Sequence, residues 1–146
     1  MKNEITIKYS VRVAKPREFV WDYTQDYSHR TEWDSSVLEA HVVQNEPNRI
    51  VTLRTKGRTS MMFVYKLDDK PNRTTLVARE IESPLIESAG GSWQYVDDDG
   101  GTLWTQSASI RFKKNFFLPI LLPLYRMMFQ AQTQGAMKKA KAIMER

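Results

Sequence analysis

A chain of 146 residues, 41% hydrophobic and 27% charged, has the size and balance of a single folded domain, which excludes a largely disordered chain. It contains no cysteine, so disulfides and thiolate-bound metals are excluded. The formal charge of +5 is scattered except at Lys138, Lys139, Lys141 and Arg146. That end reads as a solvated helix terminus whose cations suit the dipole, with a contact to anionic lipid or nucleic acid as the alternative. No nucleic-acid partner is expected.

Residues 4–13 alternate, with Ile5, Ile7, Tyr9, Val11 and Val13 on one side, which predicts a half-buried strand. Lys15-Pro16 ends it, and Pro16 suits the first turn of a helix carrying Phe19, Val20, Tyr23 and Tyr27. Ser28 is placed to cap a second short helix that includes Trp33. Strands follow over 37–44, 50–55, 59–67, 74–82, 86–96 and 102–113, separated by turn-forming residues. Gly90-Gly91 inside the sixth of the seven strands suggests a bulge or sharp bend.

The last hairpin fixes its own register. Pairing Asp97 with Thr102 leaves a four-residue loop, sets Tyr95 opposite Trp104 and Trp93 opposite Gln106, and gathers the aromatic rings on one face. Residues 119–145 read as one long helix with Leu122, Tyr125, Phe129, Ala136, Ala140 and Ile143 as its inner stripe. Pro119 and Pro123 imply a kinked or non-helical first turn. Seven antiparallel strands twist and curl, and this helix is the only large apolar element left to cover the concave face. The fold class is therefore α+β: a seven-stranded curved antiparallel sheet around a long C-terminal helix, with two short helices between strands 1 and 2, in one domain over 1–146.

This order, with residues 13–23 (VAKPREFVWDY), Glu32-Trp33-Asp34, Gly91-Ser92-Trp93 and Asp99-Gly100-Gly101-Thr102, resembles the START/Bet v 1-like (SRPBCC) helix-grip superfamily and its polyketide cyclase/dehydrase-like group. The resemblance implies a hydrophobic or amphiphilic ligand (lipid, polyketide or isoprenoid-like) held between sheet and helix. On it, the expected lining is Trp33, Phe63, Tyr65, Arg79, Glu80, Trp93, Tyr95, Trp104, Gln106, Tyr125 and Phe129. Any one of these rings also reads as core filling. Trp33 reads as a gate or as a pin for the helical insert, Gly135 as room for a ligand or strand or as merely tolerated.

Arg79 or Glu80 facing inward would be a ligand anchor or acid/base group. Facing outward, or paired with Arg54, it would be structural. Three functional readings follow: a non-catalytic carrier or sensor; a cofactor-free cyclase or dehydratase using Glu80, Arg79, Tyr65 or Tyr125; and a lipid- or membrane-associated partner, in which 116–124 contacts a membrane or a second copy. His29 and His41 lack a third ligand, so no metal is expected, and no cofactor fingerprint is present. The start of the chain carries no signal-peptide core and no run is long enough to span a bilayer, which predicts cytoplasmic placement.

Overall fold

Alternating burial along Glu4–Val13 makes this segment strand β1. The computed structural model describes residues 2–146. After β1 come α1 (Arg17–Gln25), a 3-10 turn (Tyr27–His29) and α2 (Arg30–Trp33). Six strands follow: β2 (Val37–Gln44), β3 (Ile50–Thr55), β4 (Thr59–Asp69), β5 (Arg73–Glu82), β6 (Ile86–Asp98) and β7 (Gly101–Phe112). The chain closes with α3, Leu118–Met144. The strands form one antiparallel sheet in the order β1-β7-β6-β5-β4-β3-β2, and α3 packs across its concave side in a helix-grip arrangement.

The β6–β7 hairpin keeps the register read from the aromatic residues, with Tyr95 opposite Trp104 and Trp93 opposite Gln106. Pairing continues to Asp98 opposite Gly101, so the loop is two residues rather than four. Asp99 (φ 49°) and Gly100 (φ 82°) both take the left-handed conformation that a tight hairpin turn with native twist requires.

Three local expectations are corrected. Ser28 does not cap α2, whose cap residue is His29 with no side-chain bond; Asp26 caps the preceding 3-10 turn, its Oδ1 accepting from the Ser28 backbone N (3.0 Å) and Oγ (2.7 Å). Pro16 precedes α1 as its cap residue, where a missing N–H leaves nothing unsatisfied. α3 is helical from Leu118 straight through Pro123: Pro119 lies in the first turn, where no N–H needs an intrahelical partner, whereas Pro123 lies inside the helix and forgoes the bond to the Pro119 carbonyl.

Gly90-Gly91 is not a bulge. The register shift in β6 lies between Ile86 and Ser88 instead. The glycines let neighbouring strands approach: a Cβ on Gly91 would meet the Ser107 carbonyl oxygen at 2.6 Å, and one on Gly90 the Leu76 carbonyl at 3.3 Å. The β5–β6 ladder runs from Arg73–Gln94 to Val77–Gly90, so the two strands separate beyond the glycines. The split lets the sheet curl.

The backbone of α3 lies closest to β1 among the strands. Gln130 Nε2 donates to the Lys8 carbonyl (3.1 Å), and Glu145 Oε2 accepts from Ala14 N (2.7 Å). Helix side chains thus cover part of an edge strand whose polar groups would otherwise be open to pairing.

Two alanine substitutions separate these roles of glycine. Gly91→Ala forces the β6–β7 contact apart and should destabilise by about 1–3 kcal/mol in urea unfolding. Gly135→Ala meets open space on the helix and should stabilise by up to about 1 kcal/mol.

Candidate functional site

α3 is held at its two ends. Leu118 is fully buried among Ile5, Ile86, Ile110 and Phe112 at one end, and Met137, Ala140 and Met144 are buried with Trp33, Tyr95 and Trp104 at the other. Between Leu118 and Met137 no residue of the helix is buried. Its inner stripe there — Leu122, Tyr125, Phe129, Thr133 and Ala136 — is only half-buried. Eighteen residues of helix span ~27 Å. The concave residues Tyr9, Phe63, Trp93, Gln106 and Ala108 are half-buried as well. These side chains therefore stay partly exposed along the middle of the grip, although Leu122, Tyr125 and Phe129 also pack on the core around Phe112 (ring centroids 4.8 Å to Tyr125 and 5.8 Å to Phe129).

The Met137 end is built around indoles. Trp104 is completely buried, with Trp33 and Trp93 each 5.6 Å away edge-on and Tyr95 stacked at 6.5 Å. The Arg30 guanidinium lies over the Trp33 ring (4.7 Å) and the Trp93 ring (5.0 Å). Its Nε donates to Asp34 Oδ2 at 3.0 Å, and both side chains are about nine-tenths buried. Arg30 Nη1 and the indole nitrogens of Trp33 and Trp104 have no hydrogen-bond partner among the described residues. Ring faces are their neighbours, which is a weaker form of satisfaction. Asp34 Oδ1 also accepts from Ser36 N (3.2 Å) and Oγ (2.6 Å), so one carboxylate holds the arginine and turns the chain into β2.

A second polar group ties α1 to the sheet. Tyr95 Oη bonds Thr24 Oγ1 (2.7 Å) and accepts from Gln25 Nε2 (2.8 Å). Gln25 Oε1 accepts from Tyr65 Oη (3.2 Å) and from Arg49 Nη2 (2.7 Å), while Tyr65 Oη and Tyr27 Oη lie 2.6 Å apart. Burial pushes the Tyr65 and Tyr95 phenols well above their ordinary range, so both stay neutral and serve as hydrogen-bonding groups.

The expected lining residues divide accordingly. Phe63, Trp93, Gln106, Tyr125 and Phe129 flank the half-open stretch. Trp33, Tyr65, Tyr95 and Trp104 are buried and engaged with protein partners. Trp33 pins the insert to the sheet, as its contacts with Trp93 and Trp104 show. Arg79 and Glu80 are exposed, Arg79 opposite Met62 and Glu80 (φ 49°) in the irregular end of β5. Arg54 pairs with Glu39 at 3.2 Å and not with Glu80. Gly135 is exposed with open space around it, so it makes no room inside. Among the described residues, no group of three acidic or histidine side chains could hold a metal, and no helix is long and apolar enough to cross a membrane.

Sequence reasoning missed Arg30, Asp34, Gln25 and Arg49. The i,i+4 spacing of Arg30 and Asp34 on a short helix was the one available signal. Two surface depressions also lie outside the grip. One of about 510 Å³ is lined by Arg17, Asn72, Tyr95 and Asp97, and one of about 330 Å³ by Asn45–Arg49 and Tyr65–Asp68. In the first, Arg17 already bonds Asp97 (2.8 Å) and Asn72. In the second, Arg49 bonds Asp68 (2.9 Å). Each depression is thus partly closed by its own ion pair, while Arg73 in the first and Glu46 and Lys66 in the second make no ion pair among the described residues.

Residues 4–145 match the family described as polyketide cyclase/dehydrase and lipid transport. The chain belongs to this family. No curated protein matches it. Solved structures with the same fold include TTHA0849 from Thermus thermophilus, at 14% identity and a TM-score of 0.83 over 96% of this chain and 97% of that one. The Zhui aromatase/cyclase from Streptomyces sp. R1128 shares 12% identity with a TM-score of 0.83 over 98% and 94%. A START superfamily protein from Mycobacterium smegmatis shares 11% with a TM-score of 0.79 over 96% and 97%.

The buried Arg30–Asp34 pair generates an asymmetric prediction. Asp34→Ala strands a buried guanidinium and should cost about 3–5 kcal/mol. Adding Arg30→Met to it should recover about 1–2 kcal/mol, because the unpaired charge is gone. Chemical unfolding of the two variants checks the order.

Proposed function

We propose that the protein binds a hydrophobic or amphiphilic small molecule between α3 and the concave sheet, as a carrier or sensor. The single observation that supports this most is the helix stretch between Leu118 and Met137, where an inner apolar stripe faces apolar strands yet none of it is buried. Apolar surface left half-open between two anchored ends is what an apolar ligand would cover. Phe63, Trp93, Tyr125 and Phe129 supply the walls, and Gln106 supplies an amide to orient a polar group. Family membership supports the same reading.

The cyclase or dehydratase alternative draws on the aromatase/cyclase among the structures of like fold. Its acid/base candidates are less favourably placed: Arg79 and Glu80 stand exposed, and Tyr65 is bonded within the core. Tyr125 is the one of the four that flanks the half-open stretch. A further reading, contact of 116–124 with a membrane or a second copy, is favoured by the exposure of Phe116, Phe117 and Ile120.

Native mass spectrometry of protein from its own host, followed by solvent extraction, should recover a stoichiometric small molecule. A fluorescent long-chain fatty acid and an anthraquinone serve as defined probes. Ala108→Phe adds a ring to the half-buried concave face and should weaken probe binding about tenfold or more with the fold retained by circular dichroism. Unchanged binding in that variant, or no binding of any probe with a clean apo mass, would contradict the proposal.

A further inference from the structure

We infer that the outer face of α3 docks on an anionic lipid bilayer, with its N-terminal half at headgroup level and its C-terminal lysines over the surface. This rests on the contact proposed above for residues 116–124 and assigns it one partner.

The helix has two apolar faces in its first half. Opposite the inner stripe, Ile120, Leu124, Met127 and Met128 follow one another at helical spacing and point to solvent. Phe116 and Phe117, packed edge-to-face, stand at its start. Phe116 is 90% exposed, Ile120 72% and Met127 68%. Single exposed apolar residues are ordinary, but six large ones in thirteen positions form a contiguous patch of the kind that marks an interaction surface.

Charge selects the partner. Residues 1–110 carry 14 cations and 16 anions, whereas residues 111–146 carry 8 cations and one anion. The whole positive excess of the chain therefore sits on the segment that bears the patch. From Phe112 to Met144 there is no acidic residue at all. Lys114, Arg126, Lys138 and Lys139 are exposed and make no ion pair among the described residues. Lys138 lies on the same helical line as Ile120, Leu124, Met127 and Ala131, so apolar and basic groups share one outer stripe.

An apolar helix face with flanking cations matches a bilayer with anionic headgroups. It matches a second copy poorly, because a two-fold contact sets the same stripe against itself, and residues 112–144 offer no acidic group to pair with the exposed cations. Docking on this face leaves the inner stripe, on the opposite side of α3, turned toward the sheet.

Co-sedimentation with phosphatidylcholine vesicles, with and without phosphatidylglycerol, tests the inference. Binding should be about tenfold or more tighter to the anionic vesicles and should fall as salt rises. Phe116→Ser with Phe117→Ser, and Lys138→Glu with Lys139→Glu, should each reduce it about tenfold or more. These side chains are exposed, so thermal unfolding should not change; Val43→Ser, exposed on the far edge strand, should leave binding intact. Equal binding to neutral vesicles overturns the charge selection. A salt-insensitive dimer in sedimentation velocity that is lost in the double phenylalanine variant, with no vesicle binding, overturns the lipid assignment while keeping the 116–124 contact. A monomer that binds neither vesicle overturns both.

Discussion

The contact on which the rest depends is the packing around Trp104. This ring has no exposed surface, and β1, the helical insert, β6 and the end of α3 all meet around it. Trp33 brings in the helical insert, Trp93 and Tyr95 bring in β6, and Met137, Ala140 and Met144 bring in the end of α3. Buried aromatic rings of this size carry a large share of a core's burial, and edge-on pairs add directional preference. The Arg30 guanidinium closes the cluster on the insert side, where Asp34 neutralises it.

That joint explains the uneven character of the grip. The last two turns of α3 are locked to the indoles, and Leu118 locks the first turn to Phe112 and its neighbours. Between these ends Tyr125 and Phe129 reach Phe112, with ring centroids 4.8 and 5.8 Å away, yet both stay only half-buried. The curl of the sheet, permitted by the close approach at Gly91 and the parting of β5 from β6, sets how far the strands stand from the helix. The middle is then lined by side chains whose inward direction is apolar but whose burial is incomplete. The fold's stability and its capacity for a ligand thus belong to different parts of one helix.

Much of this architecture is legible in the sequence. Alternation gave β1 its face, and the β6–β7 register followed from the need to gather Trp93, Tyr95 and Trp104, which leaves little freedom once the period is two. The inner stripe of α3 was visible for the same reason at a period of 3.6. Local chemistry was less legible. Whether Asp26 or Ser28 caps a turn depends on which side chain reaches which N–H, and whether Gly91 is a bulge or a close approach depends on the neighbouring strand. The site divided in the same way. Patterning placed the aromatic residues on the concave face, but could not separate those that seal the Trp104 end from those that stay half-open. Arg79 and Glu80 could not be assigned a side, because irregular pairing at the end of β5 interrupts the alternation. Arg30 is harder to read because its burial also needs Trp93, sixty-three positions along the chain, to close over the local partners Tyr27, Trp33 and Asp34.

Intermolecular NOEs between a bound long-chain fatty acid and the protein test the central claim most directly, that the half-open middle of the grip is the binding site. The account requires cross-peaks from the ligand to Phe63, Trp93, Ala108, Tyr125 and Phe129. Cross-peaks confined to the depression around Arg17, Asn72 and Asp97, with none to the inner stripe of α3 at saturating ligand, would contradict it.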